Sequence, residues 1–180
     1  MLKRLKQDHK HIAMLLKILR NKHQRLLNGD FVNFNLVRDI VEYMQGYAEH
    51  SHHPMEDIIY EYYASKSAHS EQTSSRLLDE HKQLIEASAS LMVSLNAILS
   101  DIIVAKEKLT TELDEYISLQ TQHMEYEEHD VFPKLVAGLD DNDWKNINEM
   151  SVQKLVDDPL FSENDNQLFE ELRRYIAETE

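Results

Sequence analysis

The sequence contains no cysteine and only three glycines and three prolines among its 180 residues. The absence of cysteine excludes disulfide bonds, thiolate metal sites, CxxC redox motifs and cysteine nucleophiles. Because glycine and proline supply most tight turns, their scarcity favours long helices over many short strands. No apolar run approaches the roughly 20 residues that a membrane-spanning helix requires, and no secretory signal is visible at the N-terminus.

Acidic residues outnumber basic ones: 33 Asp and Glu against 19 Lys and Arg give a formal charge of −14. Binding to nucleic acid requires a basic surface, so this balance argues against a nucleic-acid partner. The length and composition predict one folded domain with a sizeable core. We therefore expect a cytoplasmic protein that binds neither nucleic acid nor membrane.

Apolar residues recur at helical spacing in four stretches, approximately 5–26, 37–63, 77–98 and 109–131. Gly29 predicts the end of the first helix, and a turn near residues 100–101 separates the third from the fourth. Pro54 lies inside the second stretch and predicts a local kink or loosening there.

Beyond Gly138 the pattern changes to shorter pieces, with helices expected around residues 144–155 and 164–177. Long amphipathic helices with short connections pack as antiparallel bundles. We predict an all-α, up-down-up-down four-helix bundle over residues 1–137. Residues 138–180 are expected to form a C-terminal helical extension of the same domain, packed on the bundle.

Ten histidines require an explanation, since helices have no general use for them. One histidine falls on the inward stripe of each long helix: His9, His52, His81 and His123. Two of the four have a glutamate four residues later, at Glu56 and Glu127, which places both side chains on one helix face. A buried, ionised glutamate is costly unless it is paired or binds a metal, and this sequence has that arrangement twice.

The six inward residues also agree in height along the bundle. Counting residues from each predicted turn, at about 1.5 Å per residue, places all six near the same end of the bundle. Four imidazoles and two carboxylates at one level form a thiolate-free site that suits iron or manganese, with zinc as an alternative occupant. The two glutamates are able to bridge two metal ions.

Several motifs resemble the HHE-type hemerythrin-like proteins of bacteria: DHKHIAMLL around His9, HHPMED at residues 52–57, Glu80-His81, and HMEYEEHDVFP from His123. The resemblance implies a four-helix bundle with a non-haem di-iron centre, bridged by two carboxylates and an oxo or hydroxo group. It implies an open iron position for O₂ or NO. The ligand positions that it implies are His9, His52, Glu56, His81, His123 and Glu127.

One position departs from the resemblance. The oxygen-carrying hemerythrins have a further histidine one turn before the third-helix ligand, where this sequence has Leu77. Six protein ligands instead of seven imply an additional open coordination position, which favours redox reactivity over simple O₂ carriage. His53 directly follows a proposed ligand and is expected to face another way, with a role as a ligand or as a contact of a ligand left open as the alternative. His11, His50, His69 and His129 fall off the inward stripes and are expected at the surface.

Three functions remain open. The favoured one is a di-iron binding protein that acts on O₂ or NO as a carrier, scavenger or sensor, with no catalytic residue assigned. The alternative is a di-iron redox enzyme of the oxidase or peroxidase type, or an iron-handling protein. A purely structural bundle leaves the two inward glutamates unexplained.

Overall fold

The computed structural model describes residues 1–66, 71–152, 158–161 and 170–179. In these ranges the chain forms helices and turns and contains no β-strand. Two π-helical segments interrupt the α-helices: π1 (Met44–His52) joins α2 to α3, and π2 (Glu127–Val131) joins α5 to α6. The α-helices are α1 (Leu2–Asn28), α2 (Phe34–Tyr43), α3 (His53–Lys66), α4 (Glu71–Leu99), α5 (Lys106–Tyr126), α6 (Phe132–Gly138), α7 (Asp141–Ser151) and α8 (Glu170–Thr179).

The helices form an up-down-up-down four-helix bundle, which confirms the predicted fold. Its four rods are α1, the continuous run from α2 to α3, α4, and the continuous run from α5 to α6. The rod of α1 packs against α5 and α2, while α4 packs against α2, α3 and α5. Of the short helices, α7 packs on α3 and α8 packs on α2. No helix in the described ranges combines the length and apolar character needed to cross a bilayer.

Local signals set the helix ends. Gly29 adopts a left-handed conformation with φ of 80°, its N–H donates to the carbonyl of Leu26, and the N–H of Asp30 donates to the carbonyl of Arg25. This is a Schellman arrangement, and it ends α1 where the sequence predicts. Helix α7 begins with a capping box between Asp140 and Asp143. The predicted C-terminal helices correspond to α7 and α8, but residues 153–157 and 162–169 lie outside the described ranges.

Both π-helical segments end two residues before a proline, Pro54 in one rod and Pro133 in the other. Proline lacks an N–H donor and crowds the carbonyl four residues earlier, so the preceding backbone cannot continue as an ordinary α-helix without strain. The loosening predicted at Pro54 thus takes the form of π1. Single π-helical turns inside α-helices are frequent at functional sites, and both segments here contain an inward site residue.

The buried apolar side chains form two clusters. One includes Ile12, Leu16 and Ala48, and the other includes Leu5, Met55 and Ile59. Since Leu5 and Ile12 stand one turn before and one turn after His9, the polar layer that contains His9 lies between the two clusters. Apolar packing on both sides keeps that layer out of water.

Candidate metal centre

Glu56, on α3, has no solvent-exposed surface and faces imidazoles from three rods. Its Oε1 lies 3.2 Å from Nε2 of His52 and 3.5 Å from Nε2 of His9. Its Oε2 lies 3.6 Å from Nε2 of His81. A single carboxylate therefore connects groups on either side of the bundle axis.

Glu127, the first residue of π2, is also fully buried and occupies an equivalent place. Its Oε2 lies 3.2 Å from Nε2 of His9 and 3.4 Å from Nε2 of His123. The phenol of Tyr60 donates a 2.6 Å hydrogen bond to Oε1. Nε2 of His123 in turn lies 3.2 Å from Nε2 of His81.

The structure thus brings all six predicted site residues together at one level of the bundle. Each of the six has at most 4% of its surface exposed. They come from four rods: His9 from α1, His52 and Glu56 from the second, His81 from α4, and His123 and Glu127 from the fourth. The i, i+4 spacing of the two histidine–glutamate pairs keeps each pair in contact although a π-helical segment adjoins it.

Each of the four imidazoles is held by a second carboxylate through Nδ1, and these acids were missed by the sequence reasoning. The distances lie between 2.8 and 3.1 Å in the pairs His9–Glu128, His52–Asp8, His81–Asp57 and His123–Glu80. A carboxylate that accepts from one ring nitrogen turns the other nitrogen toward the centre and raises its basicity, as at metal-binding histidines. The available signal was an acidic residue directly beside four of the six predicted site residues, namely His9, Glu56, His81 and Glu127.

Two tyrosines donate hydrogen bonds to carboxylates of this region. The hydroxyl of Tyr47 donates to Oδ1 of Asp8 at 3.2 Å, while Oδ2 of Asp8 holds His52. Burial and the nearby Glu127 carboxylate raise the pKa of the Tyr60 hydroxyl well above its usual value. Tyr60 therefore stays protonated and remains a hydrogen-bond donor to Glu127.

Without a metal, the carboxylates keep three of the inward imidazoles, those of His9, His52 and His81, charged. Burial alone would lower the pKa of His9, but Glu127 and Glu56 outweigh burial and raise it to about 11. Against the same effect of burial, Glu56 and Asp8 raise the pKa of His52 to about 9, and Asp57 and Glu56 raise that of His81 to about 10. Burial opposes ionisation of Glu56, yet His52 and its neighbours hold the pKa of Glu56 well below its usual range.

Several of the facing atoms are buried without an aligned hydrogen bond. They are Nε2 of His9, both carboxylate oxygens of Glu56 and Oε2 of Glu127. Unpaired buried polar atoms are costly, and so a group of them that converges on one place requires a ligand or ion to explain it. Nitrogen and oxygen atoms that converge in this way fit a bound cation.

The convergent atoms divide into two groups that share Glu56. One group is His9, His52 and Glu56, and the other is His53, Glu56, His81 and His123; within each, one ligand atom per residue lies within 4.8 Å of the others. Each group contains nitrogen and oxygen atoms close enough together to hold a cation.

The expectation that His53 faces away from the site is wrong. His53 is 3% exposed, and its ring stacks on that of His81 with the centroids 4.2 Å apart. Burial, together with His81 and His123, lowers the pKa of His53 well below its usual value, so this imidazole is neutral. Helical spacing predicted the wrong face because His53 directly follows π1, where the backbone is not α-helical.

Of the histidines expected at the surface, His50 and His129 are exposed, and His69 lies outside the described residues. His11 is only partly exposed and has partners. Nδ1 of His11 lies 3.3 Å from Oδ2 of Asp158, and its ring stacks on Phe161 at 3.9 Å. Asp158 also accepts hydrogen bonds from Tyr43 and from the N–H groups of Leu160 and Phe161. These contacts attach the C-terminal segment to α1 and α2.

Residues 1–135 match the family described as the hemerythrin HHE cation binding domain. The match spans all four rods and includes every residue of the two convergent groups. Comparisons with curated proteins and with solved structures each find no match.

Proposed function

Because the chain belongs to the hemerythrin HHE cation binding domain family, we propose that it holds two iron ions between Glu56 and Glu127 and binds a diatomic ligand, O₂ or NO. The observation that carries the proposal is the pair of fully buried carboxylates, each within 3.6 Å of imidazoles from different rods. The apolar bundle offers no other reason for burying two acids at this level.

The donor set indicates how the ions would be held. His9 and His52 would bind one ion, His81 and His123 the other, and Glu56 and Glu127 would bind both. Nitrogen and oxygen donors without thiolate suit iron, with manganese and zinc as alternative occupants. An iron pair in this environment supplies reversible binding of a small neutral ligand.

The surroundings favour a small, uncharged ligand. The side chains next to the polar layer are buried and apolar: Leu5, Ile12, Ile59, Leu77 and Leu84. A cleft of about 390 Å³ between α4 and α5 is lined by Glu80, Leu84 and His123. This cleft, whose lining is mainly polar, reaches His123 from solvent, whereas the buried apolar side chains beside the polar layer disfavour ions.

A redox enzyme of the oxidase or peroxidase type is the second candidate. The buried phenol of Tyr60, 2.6 Å from Glu127, is the observation that favours it, because it keeps an O–H hydrogen-bond donor beside a proposed metal ligand. The two candidates share one site and differ in whether the ligand leaves unchanged.

The test begins with anaerobic loading of the wild-type chain with Fe(II), followed by elemental analysis and optical spectra before and after exposure to air. We expect two irons per chain and a near-ultraviolet absorption typical of a bridged ferric pair. Spectra that return to the starting state on repeated removal of O₂ indicate binding. Irreversible oxidation, or turnover of added peroxide, indicates the enzyme. A wild-type chain that retains no iron would overturn both.

Matched variants separate the site from the rest of the protein. We expect His81→Ala and Glu127→Ala to lose iron and thermal stability together, since each removes a ligand and leaves buried polar groups without partners. His50→Ala and Glu125→Ala change the same residue types at exposed positions and should retain two irons.

A further inference from the structure

The two groups of convergent atoms contain different numbers of imidazoles. The group that contains His9 has two, His9 itself and His52, whereas the group that contains His81 has three. The third imidazole of the larger group is His53. Leu77, one turn before His81 on α4, is fully buried among apolar side chains and offers no ligand atom.

The ring of His53 packs against the rings of two other inward histidines, His81 and His123. Its ring lies nearly parallel to His81, with an interplanar angle of 10°, and nearly perpendicular to His123, with centroids 5.6 Å apart. The side chain is 97% buried, and Nδ1 has no hydrogen-bond partner. A buried ring nitrogen without a partner, beside two imidazoles and a shared carboxylate, is explained by a bound cation.

The backbone explains how two consecutive histidines reach one site. His52 is the last residue of π1 and His53 the first residue of α3. Consecutive residues of an α-helix point to different faces, but the wider turn of a π-helix changes that relation. The rings of His52 and His53 lie 5.7 Å apart and serve different groups.

We propose that His53 is the third imidazole ligand of the cation held by His81 and His123, supplied from α3 where Leu77 on α4 provides none. The inference rests on the proposed two-cation site. In this arrangement His53 fills the coordination position that was expected to be open because Leu77 stands where the oxygen-carrying hemerythrins have a histidine. The open position then lies on the other cation, beside His9 and His52, and the small ligand binds there.

The test compares wild type with His53→Phe, which fills the same space without a ligand atom, and with His53→Gln. His50→Phe is the control, since it replaces an exposed histidine of the same rod that belongs to no group of convergent ligand atoms. Each protein is titrated anaerobically with ⁵⁷Fe(II), and the iron content, the affinity for the second ion and the Mössbauer spectrum are measured.

We expect wild type to bind two irons with two distinct Mössbauer doublets. In His53→Phe the affinity for one ion should fall at least tenfold and one doublet should change, whereas His50→Phe should behave as wild type. The metal-free His53→Phe protein should be as stable to urea as wild type or more so, because a buried unpaired nitrogen has been removed. His53→Gln keeps a weaker oxygen ligand and should fall between the two.

Unchanged affinity and unchanged doublets in His53→Phe would overturn the inference while leaving the two-iron proposal standing. Loss of stability in metal-free His53→Phe and His53→Gln, with normal iron binding, would show that the ring only packs. Failure of wild type to bind two irons would overturn the proposed function and this inference with it.

Discussion

Replacing Glu56 by glutamine in the metal-free protein tests whether the buried carboxylate stabilises the fold by balancing imidazolium charge. The substitution keeps the size of the side chain and removes its charge. Three ring nitrogens, on His9, His52 and His81, lie within 3.6 Å of the Glu56 carboxylate. Removing one partner of a buried ion pair costs about 3–5 kcal/mol.

The cost is limited because an imidazolium is able to lose its proton. The pKa of His52 is about 9 in the folded protein, so neutralising it at pH 7 costs about 3 kcal/mol at ~1.4 kcal/mol per pH unit. We therefore expect Glu56→Gln to lower the free energy of unfolding by about 3 kcal/mol at pH 7. That is a large share of the roughly 5–15 kcal/mol that stabilises an ordinary domain.

The effect should depend on pH with a definite sign. A raised pKa in the folded state contributes stability that is fully present below the unfolded value of about 6.5 and is lost as pH rises through about 9. In wild type the attraction between His52 and Glu56 therefore weakens as pH increases. The difference between wild type and Glu56→Gln should be smaller at pH 9.5 than at pH 7.

Urea unfolding of chelator-treated protein at both pH values measures this difference. Glu128→Gln is the matched control, because Glu128 lies 3.0 Å from Nδ1 of His9 but is 47% exposed. Pairs exposed to solvent contribute little, so the control should lose less than about 1 kcal/mol. Equal losses in the two variants, or a loss in Glu56→Gln that grows with pH, would refute the reasoning.

Three further predictions concern proton release on iron binding, the hydrogen bond from Tyr60 to Glu127, and the contacts of Asp158. Loading with Fe(II) at pH 7 should release about three protons, because His9, His52 and His81 must become neutral to bind the metal. A pH-indicator dye in weak buffer measures this release, and a release of less than one proton per chain would contradict the prediction. Tyr60→Phe removes the hydrogen bond that the phenol donates to Oε1 of Glu127, so the affinity for iron in an anaerobic titration should fall about 10–100-fold. An unchanged affinity would show that this hydrogen bond does not support metal binding. Burial opposes ionisation of Asp158, but hydrogen bonds from His11 and from backbone N–H groups lower its pKa, so its contribution is present at neutral pH and is lost as pH falls below about 4. Asp158→Asn should therefore unfold in urea more easily than wild type at pH 7 by about 1–2 kcal/mol, and by a smaller margin at pH 3. A difference as large at pH 3 as at pH 7 would contradict this account.

The bundle could be predicted from the sequence because its signals are local. Apolar spacing and the scarcity of turn residues predict four long helices, and Gly29 ends the first of them with a left-handed cap. The convergence of His9 with Glu127, which are more than a hundred residues apart, could also be predicted. Antiparallel helices convert sequence position into height, so residues at matching distances from the turns meet.

The carboxylates that hold the imidazoles could not be predicted by the same reasoning. Asp8 and Glu80 each precede an inward histidine by one residue, and an α-helix places neighbours in sequence on different faces. Each of these carboxylates contacts a histidine of a neighbouring rod: Asp8 contacts His52, and Glu80 contacts His123. Which rod packs beside which decides these pairs, and the packing is known only from the structure.

His53 was missed for a different reason. The prediction assumed an unbroken α-helical period through the segment before Pro54, and π1 changes that period. Pro54 was correctly identified as a disturbance, but proline by itself does not indicate whether the backbone kinks, breaks or widens. The consequence for the site is one additional buried imidazole.

The central claim is that two cations occupy the space between Glu56 and Glu127. Crystals of the iron-loaded protein, measured on both sides of the iron absorption edge, test this claim most directly. The account predicts two anomalous peaks roughly 3–4 Å apart, both within bonding distance of the two glutamates. A single peak elsewhere, or no peak in protein that contains iron by elemental analysis, would contradict it.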